Sequence, residues 1–312
     1  MPLDPDLKKL LQMMEQIGLP DVSKVTPKEF REFNDSASVA LNNEEIKLDE
    51  VRDIQIPVDG EKIKARLYLT GKSNALIMYF HGGGFVFGNL DTHDALCRLI
   101  ARESGCKVLS VDYRLAPEHK FPIAFSDSYD AYKWALENAG ELGVEKNLIA
   151  LSGDSAGGNL SAAVSMQARD QKIQMPALQA LFYPVVGVDY SSQSHREFSD
   201  GYFLTGELSE WFGRQYVRGP EDFMDPRFSV QLAGNFAGFP ETIVFTAEYD
   251  PLRDQGEAFV SRLRSHGVPA TGIRALGMMH GFASFFEVSE SARNYVIMAA
   301  KLMGQKLDSL HY

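Results

Sequence analysis

The feature that most constrains this chain is a short glycine-rich segment, GDSAGG at residues 153–158. It lies between an apolar run at residues 147–151 and an alanine-rich stretch at residues 160–168, so the pattern predicts a strand, a sharp turn and a helix. Ser155 stands at the apex, with a glycine two residues away on each side, where a side chain would collide. Such a turn lifts the serine oxygen toward a base, which this weak nucleophile requires. In a chain with 26 glycines, the alternative is an ordinary turn between a strand and a helix.

A second glycine-rich segment, HGGG at residues 81–84, follows the apolar run at residues 75–80. It therefore belongs at the carboxyl end of a strand, where open α/β sheets gather their active sites. Three successive glycines leave backbone N–H groups uncovered, and acyl-transfer enzymes use such donors to hold the negative oxygen of a tetrahedral intermediate. The alternative is a flexible turn. A flexible turn, however, would not need to occur together with a GxSxG serine turn later in the chain.

Two further strand ends supply an acid and a base, in the chain order serine, acid, histidine. Asp250 follows the strand-like run at residues 242–247, and His280 follows the run at residues 270–276 after a short loop. The histidine would take the proton from Ser155 and return it to a leaving group, while the aspartate would hold the imidazole in one tautomer. This chemistry requires no metal.

Other titratable residues near these positions are weaker candidates. Glu248 and Asp254 lie close to Asp250 in sequence, and either could in principle orient the histidine. Glu248 is nearer the strand, and Asp254 is expected to begin the next helix, where its charge complements the positive helix end. Asp154 should point away from Ser155 and anchor neighbouring loops by hydrogen bonds. The histidines expected to be structural or solvated are His81, His119, His195 and His266.

Apolar runs alternate with helical segments through most of the chain. Leucine, methionine and isoleucine at helical spacing between residues 3 and 17 predict an amphipathic first helix, and Thr26-Pro27 is typical of the start of a second. Asp59-Gly60 predicts a hairpin. The predicted strands lie at residues 51–57, 63–69, 75–80, 108–111, 148–151, 178–182, 243–247 and 271–275. This alternation predicts an α/β protein whose mostly parallel eight-stranded sheet is covered by helices on both faces, with the hairpin as its antiparallel edge.

The composition fits one large domain and disfavours several classes of partner. With 312 residues the chain can bury a sizeable core. Its net charge of −11, with scattered basic residues, repels phosphate backbones and anionic lipid, so we expect no nucleic-acid partner and no membrane binding. Residues 1–18 contain no apolar stretch typical of a signal peptide, and Cys97 and Cys106 are too few for a disulfide scaffold. We expect a cytoplasmic protein with both thiols reduced.

Taken together, the motifs resemble those of the hormone-sensitive-lipase-like carboxylesterases, the HGGG-type esterase branch of the α/β-hydrolases. The matching segments extend over nearly the whole chain, in order and spacing: HGGG at residues 81–84, DYRLAPEH at 112–119, GDSAGG at 153–158, DPLRD at 250–254 and HGF at 280–282. The resemblance implies an α/β-hydrolase fold with a helical cap.

The same resemblance implies an activity and a set of site residues. The activity is that of a serine carboxylesterase, which hydrolyses short- to medium-chain acyl esters through an acyl-enzyme intermediate. The alternatives are a lipase acting on longer acyl chains and a non-catalytic relative that binds a ligand. The resemblance implies Ser155 as nucleophile, Asp250 as acid and His280 as base, no cofactor, a small-molecule ester as substrate, and an oxyanion hole built from the backbone donors of Gly83, Gly84 and Ala156.

Two segments outside the alternation are expected to form the cap over Ser155. Residues 1–45 would be the N-terminal cap segment and residues 46–312 the catalytic domain, in which residues 187–232 are an insertion that completes the cap. A cap excludes water and shapes an acyl pocket. The candidate lining residues, each of which could equally belong to plain core packing, are Met13, Met14, Phe30, Phe33, Tyr202, Phe203, Leu204, Trp211 and Phe212.

The last predicted strand, at residues 271–275, is expected at an edge of the sheet. A second copy of the chain could extend the sheet there, which would give a homodimer.

Overall fold

One sheet of eight strands organises the protein. The computed structural model describes residues 1–18, 20–71 and 73–310. The strands are β1 (Glu50–Val58), β2 (Glu61–Leu69), β3 (Leu76–Phe80), β4 (Lys107–Val111), β5 (Ile149–Asp154), β6 (Leu178–Phe182), β7 (Glu241–Tyr249) and β8 (Ala270–Met279). Their order across the sheet is β1-β2-β4-β3-β5-β6-β7-β8, where β2 pairs antiparallel with β1 and β4, and all other neighbours are parallel. The predicted mostly parallel eight-stranded sheet is confirmed.

The β1–β2 hairpin forms the antiparallel edge that the sequence predicts. Val58 pairs with Glu61, so Asp59 and Gly60 make a two-residue turn. Gly60 has a φ of +74°, which glycine adopts without steric cost. The register of the hairpin therefore follows from the turn residues.

Helices cover both faces of this sheet. The described residues contain α1 (Pro5–Ile17), α2 (Pro27–Leu41), α3 (Asp94–Ser104), α4 (Ile123–Glu137), α5 (Ala139–Leu142), α6 (Ala156–Asp170), α7 (Gln193–Phe198), α8 (Gly206–Tyr216), α9 (Arg253–Ser265) and α10 (Glu290–Ser309). Helices α4, α6 and α9 pack in one apolar cluster, and α1, α3 and α10 pack in the other. No helix in the described part of the chain is long and apolar enough to cross a membrane.

The two central strands, β3 and β5, are buried on both sides. All five residues of β3 and all six of β5 are buried, and alternate side chains of β3 enter opposite clusters, Met78 on one face and Tyr79 on the other. Parallel strands that are covered on both faces consist of continuous apolar runs, and for this reason β3 and β5 could both be predicted from the sequence. The two glycine-rich segments thus follow adjacent strands in the centre of the sheet.

Helix α2 begins where the sequence predicts. The Glu29 N–H donates to Thr26 Oγ1 at 3.2 Å, and the Thr26 N–H donates to Glu29 Oε2 at 2.8 Å. This reciprocal pair is a capping box, which satisfies two backbone donors at the helix start.

Helix α1 packs on the core through one face. Leu7 is fully buried and Leu10 nearly so, whereas Met13 is 57 % exposed. The Asp4 N–H donates to Gly277 O at 2.9 Å, which joins the start of this helix to the end of β8. The amphipathic first helix is therefore part of the folded core.

We expect Leu7→Ala to lower the free energy of unfolding by about 2–5 kcal/mol, because it leaves a cavity in the core. Met13→Ala, on the exposed side of the same helix, should change it by no more than about 0.5 kcal/mol. Urea unfolding followed by circular dichroism measures both. Equal effects of the two substitutions would mean that α1 does not belong to the cooperative core.

Candidate active site

Ser155 lies in a strained turn between β5 and α6. Its backbone has φ +52° and ψ −113°, which residues with a side chain rarely adopt. The Ser155 N–H donates to Phe182 O at 2.9 Å and fixes the turn. A Cβ at Gly157 would lie 1.8 Å from Phe80 O, so the first turn of α6 can approach the end of β3 only because that residue is glycine.

Three side chains from three strand ends form one hydrogen-bonded chain. His280 Nε2 lies 2.9 Å from Ser155 Oγ, and His280 Nδ1 lies 2.8 Å from Asp250 Oδ2. Asp250 and His280 are buried, and Ser155 is half-buried. Asp250 Oδ1 accepts the Leu252 N–H at 2.8 Å, so both carboxylate oxygens have a donor. The structure thus brings together the three side chains that the sequence selected.

The neighbouring carboxylates are engaged elsewhere. Glu248 accepts the Gly277 N–H at 2.7 Å and the ammonium group of Met1 at 2.9 Å. Asp254, the second residue of α9, accepts the Ser194 N–H at 2.8 Å. Both therefore hold structural elements together, and neither takes the position beside the imidazole.

The glycine loop presents free donors beside the serine. Gly83 and Gly84 have φ of +105° and +59°, and within the described residues their N–H groups donate to no protein acceptor. Ala156 is the first residue of α6, where a backbone N–H has no partner within the helix. A Cβ at Gly84 would lie 2.3 Å from the ring of Phe212, so this position too admits only glycine. The arrangement can bind a developing negative charge.

His81 is buried beneath this loop. Its ring stacks on Tyr113 with centroids 4.3 Å apart, and the Tyr113 hydroxyl donates to His81 O at 2.7 Å. Burial, with the nearby His93, lowers the pKa of His81 to about 3. His81 is therefore neutral at neutral pH, and of the two roles expected for it, structural or solvated, it has the structural one.

Asp154 anchors the glycine loop. Its Oδ1 accepts the Gly82 N–H at 2.9 Å and the Tyr79 hydroxyl at 2.8 Å, and His93 Nε2 lies 3.4 Å away. Burial would raise the pKa of Asp154, but the nearby His93 ring and the Tyr79 hydroxyl together hold it below the usual range. The carboxylate thus stays ionised beside Gly82, in the anchoring role that the sequence predicts.

Sequence reasoning missed two residues near the site, and a third lies closer to it than the sequence indicated. His93 lies at the start of α3 beside Asp154, and the Tyr183 ring lies 4.8 Å from the ring of His280. His195, expected to be structural or solvated, lines the cavity from α7. No local spacing signals these contacts, because they join residues far apart in the chain.

A cavity of about 370 Å³ opens above Ser155. Of the nine predicted lining residues, six line it, namely Met14, Phe30, Tyr202, Phe203, Leu204 and Phe212. Met13 and Phe33 do not, because they lie on the exposed sides of their helices. Trp211 does not either: it is buried in the core, with its ring centroid 4.8 Å from that of Phe30. Helical periodicity locates an apolar face but cannot tell a cavity wall from packed core.

We find no cluster of three or more histidine, cysteine, aspartate or glutamate side chains in the described ranges that could hold a metal ion.

Comparisons with a protein family, with individual proteins and with solved structures all relate this chain to α/β-hydrolases and esterases. Residues 77–284 match the family described as alpha/beta hydrolase fold. An arylesterase from Saccharolobus solfataricus is 42% identical over 286 residues, which cover 90% of this chain and 92% of that protein. An ethyl acetate hydrolase from Pseudomonas putida is 34% identical over 319 residues, covering 98% of this chain and 100% of that protein.

Among solved structures, a hyperthermophilic esterase from the archaeon Pyrobaculum calidifontis superimposes with a TM-score of 0.93 at 41% identity, covering 98% of this chain and 99% of that one. These matches confirm the resemblance drawn from the motifs. The chain belongs to the alpha/beta hydrolase fold family, in its hormone-sensitive-lipase-like branch.

Proposed function

We propose that this protein is a serine carboxylesterase that hydrolyses short- to medium-chain acyl esters through an acyl-enzyme intermediate. The observation that carries the proposal is the hydrogen-bonded chain from Ser155 Oγ through His280 to Asp250, which lies beside uncommitted backbone donors. Two relatives, an arylesterase and an ethyl acetate hydrolase, support the same reaction class.

In the acylation step, Ser155 Oγ attacks the carbonyl carbon of the ester while His280 Nε2 takes its proton. The carbonyl oxygen becomes an oxyanion, and the N–H groups of Gly83, Gly84 and Ala156 are placed to stabilise it. Collapse of this intermediate breaks the bond to the alcohol oxygen. His280 donates its proton to that oxygen, and the alcohol leaves.

In the deacylation step, His280 takes a proton from water as the water attacks the acyl carbon. A second oxyanion forms at the same donors, and its collapse returns the proton to Ser155 and releases the acid. Asp250 accepts a hydrogen bond from the Nδ1–H of His280 throughout and stays ionised, so the imidazole keeps the tautomer in which Nε2 is basic, and the carboxylate stabilises the imidazolium in each step.

We also propose that residues 1–45 and the insertion 187–232 form a cap over the catalytic domain of residues 46–312. Aromatic contacts between the two segments support it: the ring centroids of Phe30 and Phe212 lie 5.8 Å apart, and the cavity is lined from both segments. A cap of this kind limits the access of bulk water to the site.

We further propose that the enzyme works in the cytoplasm, without a nucleic-acid or membrane partner. Both cysteines, Cys97 and Cys106, are free and buried, which fits a reducing compartment. Burial raises the pKa of Cys106 to about 11, so its thiol stays protonated and unreactive. Cell fractionation tests the location, and activity in the culture fluid would contradict it.

Substitutions in the triad test the mechanism. Ser155→Ala should leave the fold intact and reduce kcat by several powers of ten, and Asp250→Asn should reduce it by about three to four powers of ten, because the tautomer and the counter-charge are lost. The measurement is kcat and KM on p-nitrophenyl butyrate near pH 7, with melting curves for each variant.

The matched controls are Asp254→Asn and Glu248→Gln, which change carboxylates held elsewhere. Both should retain most of the turnover and lose at most some stability. If either control proved more damaging than Asp250→Asn, the acid would be reassigned. If Ser155→Ala kept a tenth of the wild-type turnover, Ser155 would not be the nucleophile.

Chain length tests the substrate class. The enzyme should hydrolyse p-nitrophenyl esters of about four to eight acyl carbons with higher kcat/KM than esters of about twelve or more, because a longer chain exceeds the pocket that the cap leaves. A series of p-nitrophenyl esters from acetate to palmitate measures this. Higher kcat/KM on the palmitate ester, or on emulsified triglyceride, would support the lipase alternative instead.

The free edge of the sheet supports a homodimer, which we also propose. Strand β8 pairs with β7 on one side, and its residues 271–274 are exposed or half-buried. An unpaired edge of this kind can accept a second copy. Light scattering should give twice the chain mass of 34.7 kDa. A monomer mass at micromolar concentration would overturn the dimer and leave the esterase proposal intact.

A further inference from the structure

The loop that carries the oxyanion donors is closed on itself. The N–H groups of Val86 and Phe87 both donate to Gly83 O at 3.0 Å. A Cβ at Gly88 would lie 2.8 Å from Gly82 O, so the two ends of the segment 82–88, here called the oxyanion loop, pass against each other. Fixing both ends therefore fixes the donors between them.

Two carboxylates hold these two ends, and they come from different parts of the fold. Asp154, at the end of β5, accepts the Gly82 N–H at 2.9 Å. Asp35, on α2, accepts the Gly88 N–H at 2.9 Å. One end of the loop is thus bound by the central sheet, and the other end by a helix that lies outside the sheet.

Asp35 is itself held in place by Asn89, the residue that follows the oxyanion loop. Its second oxygen, Oδ2, accepts the Asn89 side-chain amide at 3.0 Å. The Asn89 Oδ1 accepts the Asp91 N–H at 2.9 Å and the Thr92 N–H at 3.1 Å, so the orientation of that amide is set. Asp35 therefore sits between two donors whose positions are fixed.

A second residue of the same helix face docks α2 on the same loop. Arg31, one turn before Asp35, donates to Val86 O at 2.7 Å and to Ala116 O at 2.9 Å, and it forms an ion pair with Glu118 at 2.7 Å. Arg31 thus binds carbonyl groups where Asp35 binds an amide. Helix α2 therefore both donates a hydrogen bond to a backbone carbonyl of the loop and accepts one from a backbone N–H of the loop.

We propose that Asp35 is a positioning residue for the oxyanion hole. By fixing Gly88 from α2, it holds Gly83 and Gly84 at the place where the oxyanion forms, and it couples docking of α2 to completion of the hole. This inference rests on the proposed esterase function. A charged acceptor suits the role, because hydrogen bonds from backbone N–H to carboxylate are shorter and stronger than those between neutral groups.

The expected signature is a loss in kcat with little change in KM. A donor contributes to catalysis when it meets the oxyanion, which exists in the transition state and not in the bound ester. Loss of one whole donor reduces turnover by about 10²–10³-fold, and a misplacement of about 1 Å can cost about 10²-fold.

We expect Asp35→Ala to lower kcat on p-nitrophenyl butyrate by about 10- to 100-fold, with KM within about twofold of wild type. The inhibition constant of an alkyl trifluoromethyl ketone should rise by a similar factor, because Ser155 adds to this ketone to give a tetrahedral oxyanion that needs the same donors. The matched control is Glu32→Ala on the same helix, whose side chain is 66% exposed and lies 3.8 Å from Lys28. It should leave kcat and the inhibition constant unchanged.

Asp35→Asn keeps the test decisive if the alanine variant does not fold. An asparagine can still accept the Gly88 N–H, but its amide meets the donor of Asn89, so we expect an intermediate loss in kcat of at least about threefold with the same split from KM. If a folded Asp35 variant keeps kcat and the ketone inhibition constant within about twofold of wild type, or if only its melting temperature falls, the inference is overturned. If the wild type, with Ser155→Ala as reference, shows no esterase activity at all, it is the proposed function that fails.

Discussion

The structure depends on one close approach, that of the first turn of α6 to the end of β3. Hypothetical Cβ atoms at Gly153 and Gly157 would lie 2.5 Å and 1.8 Å from Phe80 O, so any side chain there would push the helix away from the sheet. Because the helix starts so close to the strand, the chain must turn sharply, and Ser155 takes up the positive φ that the turn imposes. The side chain of Ser155 is thereby raised above the carboxyl end of the central strands. The glycine loop after β3 lies beside it, because β3 and β5 are neighbours.

Polar groups around the serine are arranged before any substrate is present. The imidazole of His280 is bracketed by Ser155 and Asp250, while His81 is kept neutral by burial. The oxyanion loop is bound at both ends by carboxylates, and its own carbonyl at Gly83 is satisfied within the loop. Donors fixed in advance stabilise a developing charge without the cost of reorganisation at the moment of reaction.

Much of the fold could be predicted because buried parallel strands leave a strong local pattern. The run at residues 178–182 coincides with β6, and the hairpin turn is placed correctly. Strand β8 extends further than predicted, to Met279, because its pairing with β7 continues past an irregularity between Ala247 and Tyr249. Gly277, with a φ of +74°, interrupts the apolar pattern there and made the segment resemble a loop. The cavity walls were predicted less well: Trp211 and Phe33 are apolar residues on the right helices, but they face the core and the solvent.

By itself, the sequence determined which residue types the site contains and the order in which they follow along the chain. The patterns that revealed the site are local, and each reflects a local steric or electronic need. They are a serine between spaced glycines, three glycines after a strand, and an acid and a histidine after later strands. The tertiary structure alone decided that Tyr183 and His93 lie at the site, and that Asp35 of α2 holds Gly88. These contacts join residues far apart in the chain. Their formation depends on how helices and strands pack, which no local spacing encodes.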